Sequence, residues 1–245
     1  MKAYAKINIF LKIIGVKNGY HELKSRFIIF PEIYDEISFI SRKSEDLIFD
    51  DKIENNIINK AYNELAKAGF KNELDEFFKS KQIFLQKNIP SGAGLGGGSS
   101  DAASFLLLAN KELNLNIPKE TLLKISSKIG ADVAFFTSEE KAANVSGFGE
   151  IIEPFDDEIP ELKLILSPIF SSTKAVYDQF DKENLNPDIK LSNSLFKQKS
   201  KEILNTYKNY ELNDLLLPCK IVNPELEISK NDFLSGSGSA LFRQI

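Results

Sequence analysis

The sequence predicts an α+β protein in two parts. Three observations carry that expectation: an alternating apolar strand at the amino end, helices and strands mixed without regular βαβ alternation, and a composition shift at residues 156–160. Ala3, Ala5, Ile7, Ile9, Leu11 and Ile13 are apolar at odd positions, whereas Lys2, Tyr4, Lys6, Asn8 and Lys12 share the even ones with Phe10. Successive strand side chains point to opposite faces, so this strand should bury one face. Asn18-Gly19 is a hairpin turn signal, and apolar runs at 27–30 and 33–40 supply two more strands of an antiparallel sheet. Asn55 or Asn56 can cap a helix reaching about residue 68, with Gly69 as its stop. A short strand at 82–86 leads into a loop with five of the chain's 13 glycines. Ser99, Ser100 and Asp101 open the next helix, and another from 119 to 129 ends at Gly130. Strands are expected at 141–145 and 149–155. The acidic stretch ending in Pro160 then marks a junction between domains at 1–157 and 158–245. Beyond it come an apolar strand at 162–166 and polar helices between 173 and 217. Leu234 and Leu241-Phe242 read as two strands joined by a glycine loop.

Composition narrows the chemistry. The 245 residues are 42% hydrophobic and 27% charged, ample for a folded core. A net charge of -4 supplies no basic field for nucleic acid or an anionic membrane, so neither partner is expected and anion binding must be local. One cysteine and one histidine exclude an intrachain disulfide, a cysteine cage and a site of several imidazoles. No serine lies in a Gly-x-Ser-x-Gly elbow. The longest near-apolar run, 102–109, falls far short of the roughly 20 residues of a membrane helix and reads as a buried helix. The alternating amino terminus is no secretory signal, so a cytoplasmic protein is expected.

The stretch IPSGAGLGGGSSDAA, residues 89–103, is the most informative. Glycine reaches positive φ without a side-chain clash, so such a loop can turn successive N–H groups inward around an anion. The helix behind it adds unpaired N–H groups and about half a positive charge. Gly92-Ala93-Gly94-Leu95-Gly96-Gly97 formally satisfies a dinucleotide fingerprint, but Pro90 interrupts the strand approach and no acidic residue ends a second strand at the required distance. Gly98-Ser99-Ser100 lacks the lysine of a Walker A loop, and the His-Arg-Asp and Asp-Phe-Gly motifs of protein kinases are absent.

A glycine-serine loop without lysine that opens a helix after a short strand resembles the GHMP kinase superfamily. AKINIFL around Lys6, KNGYHEL around Tyr20, Gly130-Ala131-Asp132-Val133, Gly147-Phe148-Gly149-Glu150 and Ser235-Gly236-Ser237-Gly238-Ser239 stand in the order expected of it. The resemblance implies a two-domain GHMP kinase fold: a ribosomal-protein-S5-domain-2-like amino-terminal half carrying the glycine loop, and a smaller ferredoxin-like α/β carboxyl-terminal half. It implies ATP as phosphoryl donor with Mg²⁺, and a small-molecule alcohol as acceptor. The GYH block together with AKIN points to the members whose alcohol carries a cytidine diphosphate.

The same resemblance implies a site. Asp132, just after a helix stop, would be the base, and Lys6 would keep it ionised while polarising the hydroxyl. Pro90, Ser91, Gly92, Ala93, Gly94, Leu95, Gly96, Gly97, Gly98, Ser99 and Ser100 would hold the triphosphate, and Asn56 would lie by the adenine. Asn8 shares the face of Lys6 two residues on and would reach the substrate. Tyr20 would stack on the cytosine and His21 would bond its edge, with Thr173 and Tyr177 completing the clamp. Gly236 and Ser237 would close over the substrate phosphates. No acidic pair announces a metal site, and Asp101 has no assigned role: a first-turn carboxylate suits the helix dipole but would repel a phosphate unless it turned away or acted through Mg²⁺. A mevalonate- or homoserine-type kinase would have no use for the Tyr20-His21 clamp. A non-catalytic nucleotide-binding protein would tolerate loss of Lys6 and Asp132.

Overall fold

The computed structural model describes residues 1–42, 57–183 and 186–245. In chain order the strands are β1 (Lys2–Lys17), β2 (Tyr20–Ser41), β3 (Lys81–Gln86), β4 (Ala142–Gly147), β5 (Ile151–Pro154), β6 (Leu162–Ile165), β7 (Phe233–Leu234) and β8 (Leu241–Gln244). The helices are α1 (Ile57–Leu65), α2 (Lys71–Phe77), α3 (Gly97–Glu112), α4 (Lys119–Ile129), α5 (Val133–Ser138), α6 (Thr173–Lys182), α7 (Ile189–Leu195), α8 (Ser200–Thr206), α9 (Asn209–Leu212) and α10 (Leu216–Val222). This is the mixed helix and sheet expected of an α+β chain. Chain contacts divide it into two compact units: Met1–Ala5, Pro31–Ile89 and Gly96–Glu139 form the first, and Lys6–Phe30, Pro90–Leu95 and Glu140–Ile245 the second.

In the first unit the last part of β2 pairs antiparallel with β3, from Glu36 opposite Gln86 to Ser41 opposite Lys81. Phe39 of β2 meets Phe78 and Phe105 edge-on at 5.3 and 6.0 Å, an arrangement favoured by the ring quadrupoles. The apolar run expected to form a buried helix does so: Ala102, Ala103, Phe105, Leu106 and Ala109 of α3 are buried. The helix expected to stop at Gly69 does so: Gly69 takes the non-helical angles φ 108° and ψ 2°, a kink beyond which α2 begins as a separate helix.

In the second unit the first part of β2 pairs antiparallel with β4, from Leu23 opposite Gly147 to Ile28 opposite Ala142, and β4 pairs with β5. A separate sheet has the order β6-β8-β7. Leu11 and Ile13 of β1 share a core with Val176, Phe180, Leu215, Cys219, Leu234 and Leu241.

Two strand expectations need correction. The runs at 27–30 and 33–40 belong to one strand, β2. Pro31 falls after Ile28, the last residue paired with β4, and before Glu36, the first paired with β3. Its missing N–H therefore breaks neither ladder. Nor does β1 bury one face only, because Lys6, Asn8, Phe10 and Lys12 are buried along with the odd positions. The polar even positions are tolerated because they are paired. Lys12 bonds the Asp214 carboxylate and the Glu211 carbonyl, the latter at 3.0 Å, and Asn8 Nδ2 donates to Ser25 Oγ at 3.0 Å.

Candidate functional site

The second unit holds the first half of the glycine loop. Gly92 and Gly94 take φ 68° and 73°, while Ala93 and Leu95 between and after them are buried anchors. Strand alternation keeps Lys6 and Asn8 on one face of β1, where the Lys6 ammonium donates to Asn8 Oδ1 and lies 4.6 Å from the centre of the Phe27 ring. The Lys6 amide donates to the Leu95 carbonyl at 2.9 Å, tying this strand to the loop.

The carboxyl-terminal glycine loop is stitched to the same place. The amides of Ser239 and Ala240 donate to the carbonyls of Gly92 and Ala93 at 3.2 and 3.1 Å, and Ser235 Oγ donates to the Gly94 carbonyl at 3.2 Å. A Cβ on Gly94 would stand 2.2 Å from the Ser235 carbonyl. One on Gly236 would stand 3.1 Å from the Gly94 carbonyl and 3.4 Å from both Asn8 Oδ1 and Lys6 Nζ. Only glycine permits this approach, which brings the expected residues Lys6, Asn8, Gly94 and Gly236 together. Asn213 holds the loop from behind, its Nδ2 donating to the carbonyls of Leu234 and Gly236 at 2.9 Å each.

A second cluster of the same unit forms around His21. Its ring centre lies 4.9 Å from that of Tyr177 and 5.7 Å from that of Phe180, and its Nε2 lies 2.6 Å from Asp181 Oδ1. Thr173 Oγ1 is 2.9 Å from Ser237 Oγ. Tyr20 is exposed and packs at 5.8 Å against Phe148. His21 with Tyr177 and Thr173 with Ser237 are thus in contact, whereas Tyr20, expected to stack on the cytosine together with Tyr177, packs against Phe148.

In the first unit, Gly96 at φ 71° precedes α3, and Gly97 packs so tightly that a Cβ would meet Ile89 Cγ2 at 2.9 Å. Ser100 is buried in the first turn, whereas Gly98 is exposed and Ser99 half-buried. The leading amides of a helix lack intrahelical acceptors, so this end favours an anion. Asp101 has turned away from that role. Its Oδ2 accepts from Lys87 Nζ at 2.6 Å, and Lys87 also bonds Asp35. Asp35 in turn accepts the amides of Asn88 and Ile89 at 2.5 and 2.8 Å, fixing the chain where it enters the loop. Burial, opposed by Lys87 and reinforced by Asp35, pushes the Asp101 carboxyl up to about 7. Asp132 immediately precedes α5, half-buried, with its side chain capping no amide of that helix.

Pro90 is half-buried and Ser91 exposed at the loop entrance. Asn56 lies outside the described residues. Sequence reasoning missed Asp35, Lys87, Asp181 and Asn213, and quoted Phe148 in a block without giving it a role. Asp181 carried a usable signal, standing four residues beyond Tyr177 on α6. Asp35 and Asn213 had none, since their partners are far away in the chain.

Comparison with known proteins adds five findings. Residues 56–140 match the family described as GHMP kinases N terminal domain. A protein of Campylobacter jejuni subsp. doylei named 4-diphosphocytidyl-2-C-methyl-D-erythritol kinase is 48% identical over 255 residues, covering 99% of each chain. Its namesake from Helicobacter pylori (strain J99) is 38% identical, covering 99% of this chain and 93% of the other. A crystal structure of 4-(cytidine 5'-diphospho)-2C-methyl-D-erythritol kinase superposes with a TM-score of 0.75 at 27% identity, over 100% of this chain and 89% of that one. The Methanococcus jannaschii mevalonate kinase superposes at 0.58 with 13% identity, over 100% and 90% of the two chains, a likeness of fold alone.

Proposed function

Because the chain belongs to the 4-diphosphocytidyl-2-C-methyl-D-erythritol kinase family, we propose that it moves the γ-phosphoryl group of ATP to the 2-hydroxyl of 4-(cytidine 5'-diphospho)-2-C-methyl-D-erythritol, with Asp132 as base and Lys6 polarising the hydroxyl. The chain is an ATP-dependent alcohol kinase of the non-mevalonate route to isoprenoid precursors. The acceptor oxygen attacks the γ-phosphorus, the bond to the β–γ bridging oxygen breaks, ADP leaves, and the hydroxyl proton passes to Asp132. Lys6 lowers the proton affinity of that oxygen. Asn8 keeps the ammonium in place, and the loop amides with the start of α3 offset the phosphate charge. Tyr20, His21, Thr173 and Tyr177 hold the cytosine end.

The observation that carries this reading is the buried Lys6–Asn8 pair lying against Gly236, with the Lys6 amide bonded to the Leu95 carbonyl of the other loop. A phosphorylated ligand cradled by the amide-rich loops beside that ammonium fits this arrangement. Among the described residues no three histidine, cysteine or acidic side chains gather into a metal site, and Asp101 is engaged by Lys87. Mg²⁺ bound with ATP would offset charge on the phosphates. No helix among the described residues is long and apolar enough to cross a membrane.

ADP release coupled to a second enzyme tests the proposal, with the cytidylyl substrate, mevalonate and homoserine offered to the wild type and to Asp132→Asn. Turnover is expected with the cytidylyl compound alone. The variant should lose about 10²- to 10⁴-fold in rate while still binding nucleotide. Equal turnover by the variant would remove Asp132 from the mechanism, and ADP release with mevalonate would return the chain to another substrate class.

A further inference from the structure

Thr173, Tyr177 and Asp181 stand four residues apart along α6, a spacing that keeps them on one face of the helix. Each has a partner in the substrate cluster: Thr173 meets Ser237, Tyr177 meets the His21 ring, and Asp181 meets His21 Nε2. Two of the three already have roles in the proposed function. The third does not, and its chemistry is specific.

Resting on the reading of His21 as the residue that bonds the base edge, we propose that Asp181 is a positioning residue that selects cytosine over uracil. A carboxylate only accepts hydrogen bonds, so the 2.6 Å contact places a proton on Nε2 of His21. In the neutral ring the other nitrogen, Nδ1, is then left as an acceptor. The exocyclic amine of cytosine is a donor and satisfies it. The corresponding group of uracil is a carbonyl oxygen, which would set two acceptors against each other. Tyr177 and Phe180 box the ring so that it keeps one orientation, Phe180 meeting it edge-on at 85°. The His21 side chain is 14% exposed and that of Asp181 56%, so the pair adds little to stability. Its consequence is the choice of tautomer.

The chain has one histidine, so ¹⁵N-histidine labelling of the whole protein gives one imidazole to read. Ring ¹⁵N shifts should report the Nε2–H tautomer in the wild type, a mixture in Asp181→Ala, and recovery in Asp181→Glu. In parallel, kcat/KM is measured for the cytidine substrate and its uridine counterpart. The wild type should prefer cytidine, and Asp181→Ala should narrow that preference about tenfold, mainly through KM, with kcat for cytidine nearly unchanged. A wild type that selects cytidine and an alanine variant that selects it equally, with the same tautomer, would overturn the role of Asp181 and leave the cytosine reading standing. Equal use of both substrates by the wild type would overturn the reading of His21 itself.

Discussion

Asp101 shows how a residue that looks functional by position can be claimed by the fold. It opens the helix behind the glycine loop, yet its side chain is 4% exposed, bonded to Lys87, and Oδ1 has no partner among the described residues. A carboxyl whose folded pKa lies above its unfolded value binds more protons when folded, so stability falls as pH rises. Here the ordinary value is 3.8 and the folded one about 7, which sets the window. Thermal melts across that range should show the wild type losing Tm, whereas Asp101→Asn, with no proton to lose, should hold a flatter profile. Parallel profiles would contradict the burial argument. Gly94 makes a different prediction, from shape rather than charge. Alanine there must adopt φ 73°, at a cost of roughly 1–2 kcal/mol, and also meets the Ser235 carbonyl at 2.2 Å. Gly19→Ala meets the same backbone cost with nothing within 4 Å. Urea unfolding should therefore rank Gly94→Ala well below Gly19→Ala, and a raised KM for ATP should accompany the first.

At the scale of elements, the junction of β2, α7 and α8 is made by one buried arginine. Arg26 donates from Nε to Asn144 Oδ1 at 2.7 Å and from its terminal nitrogens to the carbonyls of Phe196 and Gln198 at 3.2 and 3.1 Å. Those carbonyls lie just past α7, where a helix end leaves acceptors unpaired. Asp157 lies 3.3 Å from the same guanidinium and accepts the Ser200 amide at 2.8 Å, at the first turn of α8. Arg26→Met would leave Asp157 charged and buried, and should cost about 3–5 kcal/mol in urea unfolding. Adding Asp157→Asn removes the stranded charge and should recover part of the loss; a double variant no more stable than the single would refute this. None of the network was legible beforehand. Arg26 follows Ser25 in an ordinary strand, and Asp157 comes 131 residues later. The same limit explains β1, whose period-2 pattern identified the strand but not the second buried face, because Asp214 and Ser235 reach it from the far end of the chain.

Across the whole molecule, legibility followed the distance between partners. The glycine loop, Lys6 with Asn8, and the Tyr20-His21 turn carry their chemistry within a few residues, so they could be read in place. Asp35, Asn213 and Asp181 act through residues brought to them by folding, and only the helical spacing of Asp181 offered a clue. The path of the chain makes one further prediction. Leu11 and Ile13 of β1 belong to the same core as Leu215, Leu234 and Leu241. Lys12 bonds Asp214, and the Asp214 amide donates to the Leu11 carbonyl at 3.0 Å. A fragment of residues 158–245 keeps the β6-β8-β7 sheet but loses these apolar partners and leaves Asp214 without its ammonium. Exposed core surface and a stranded carboxylate together exceed the few kcal/mol by which a small domain is stable. The fragment alone should show no cooperative urea transition, and co-expression with residues 1–157 should restore one along with kinase activity. A sharp transition in the isolated fragment would mean that the carboxyl-terminal half closes its core without the first strand.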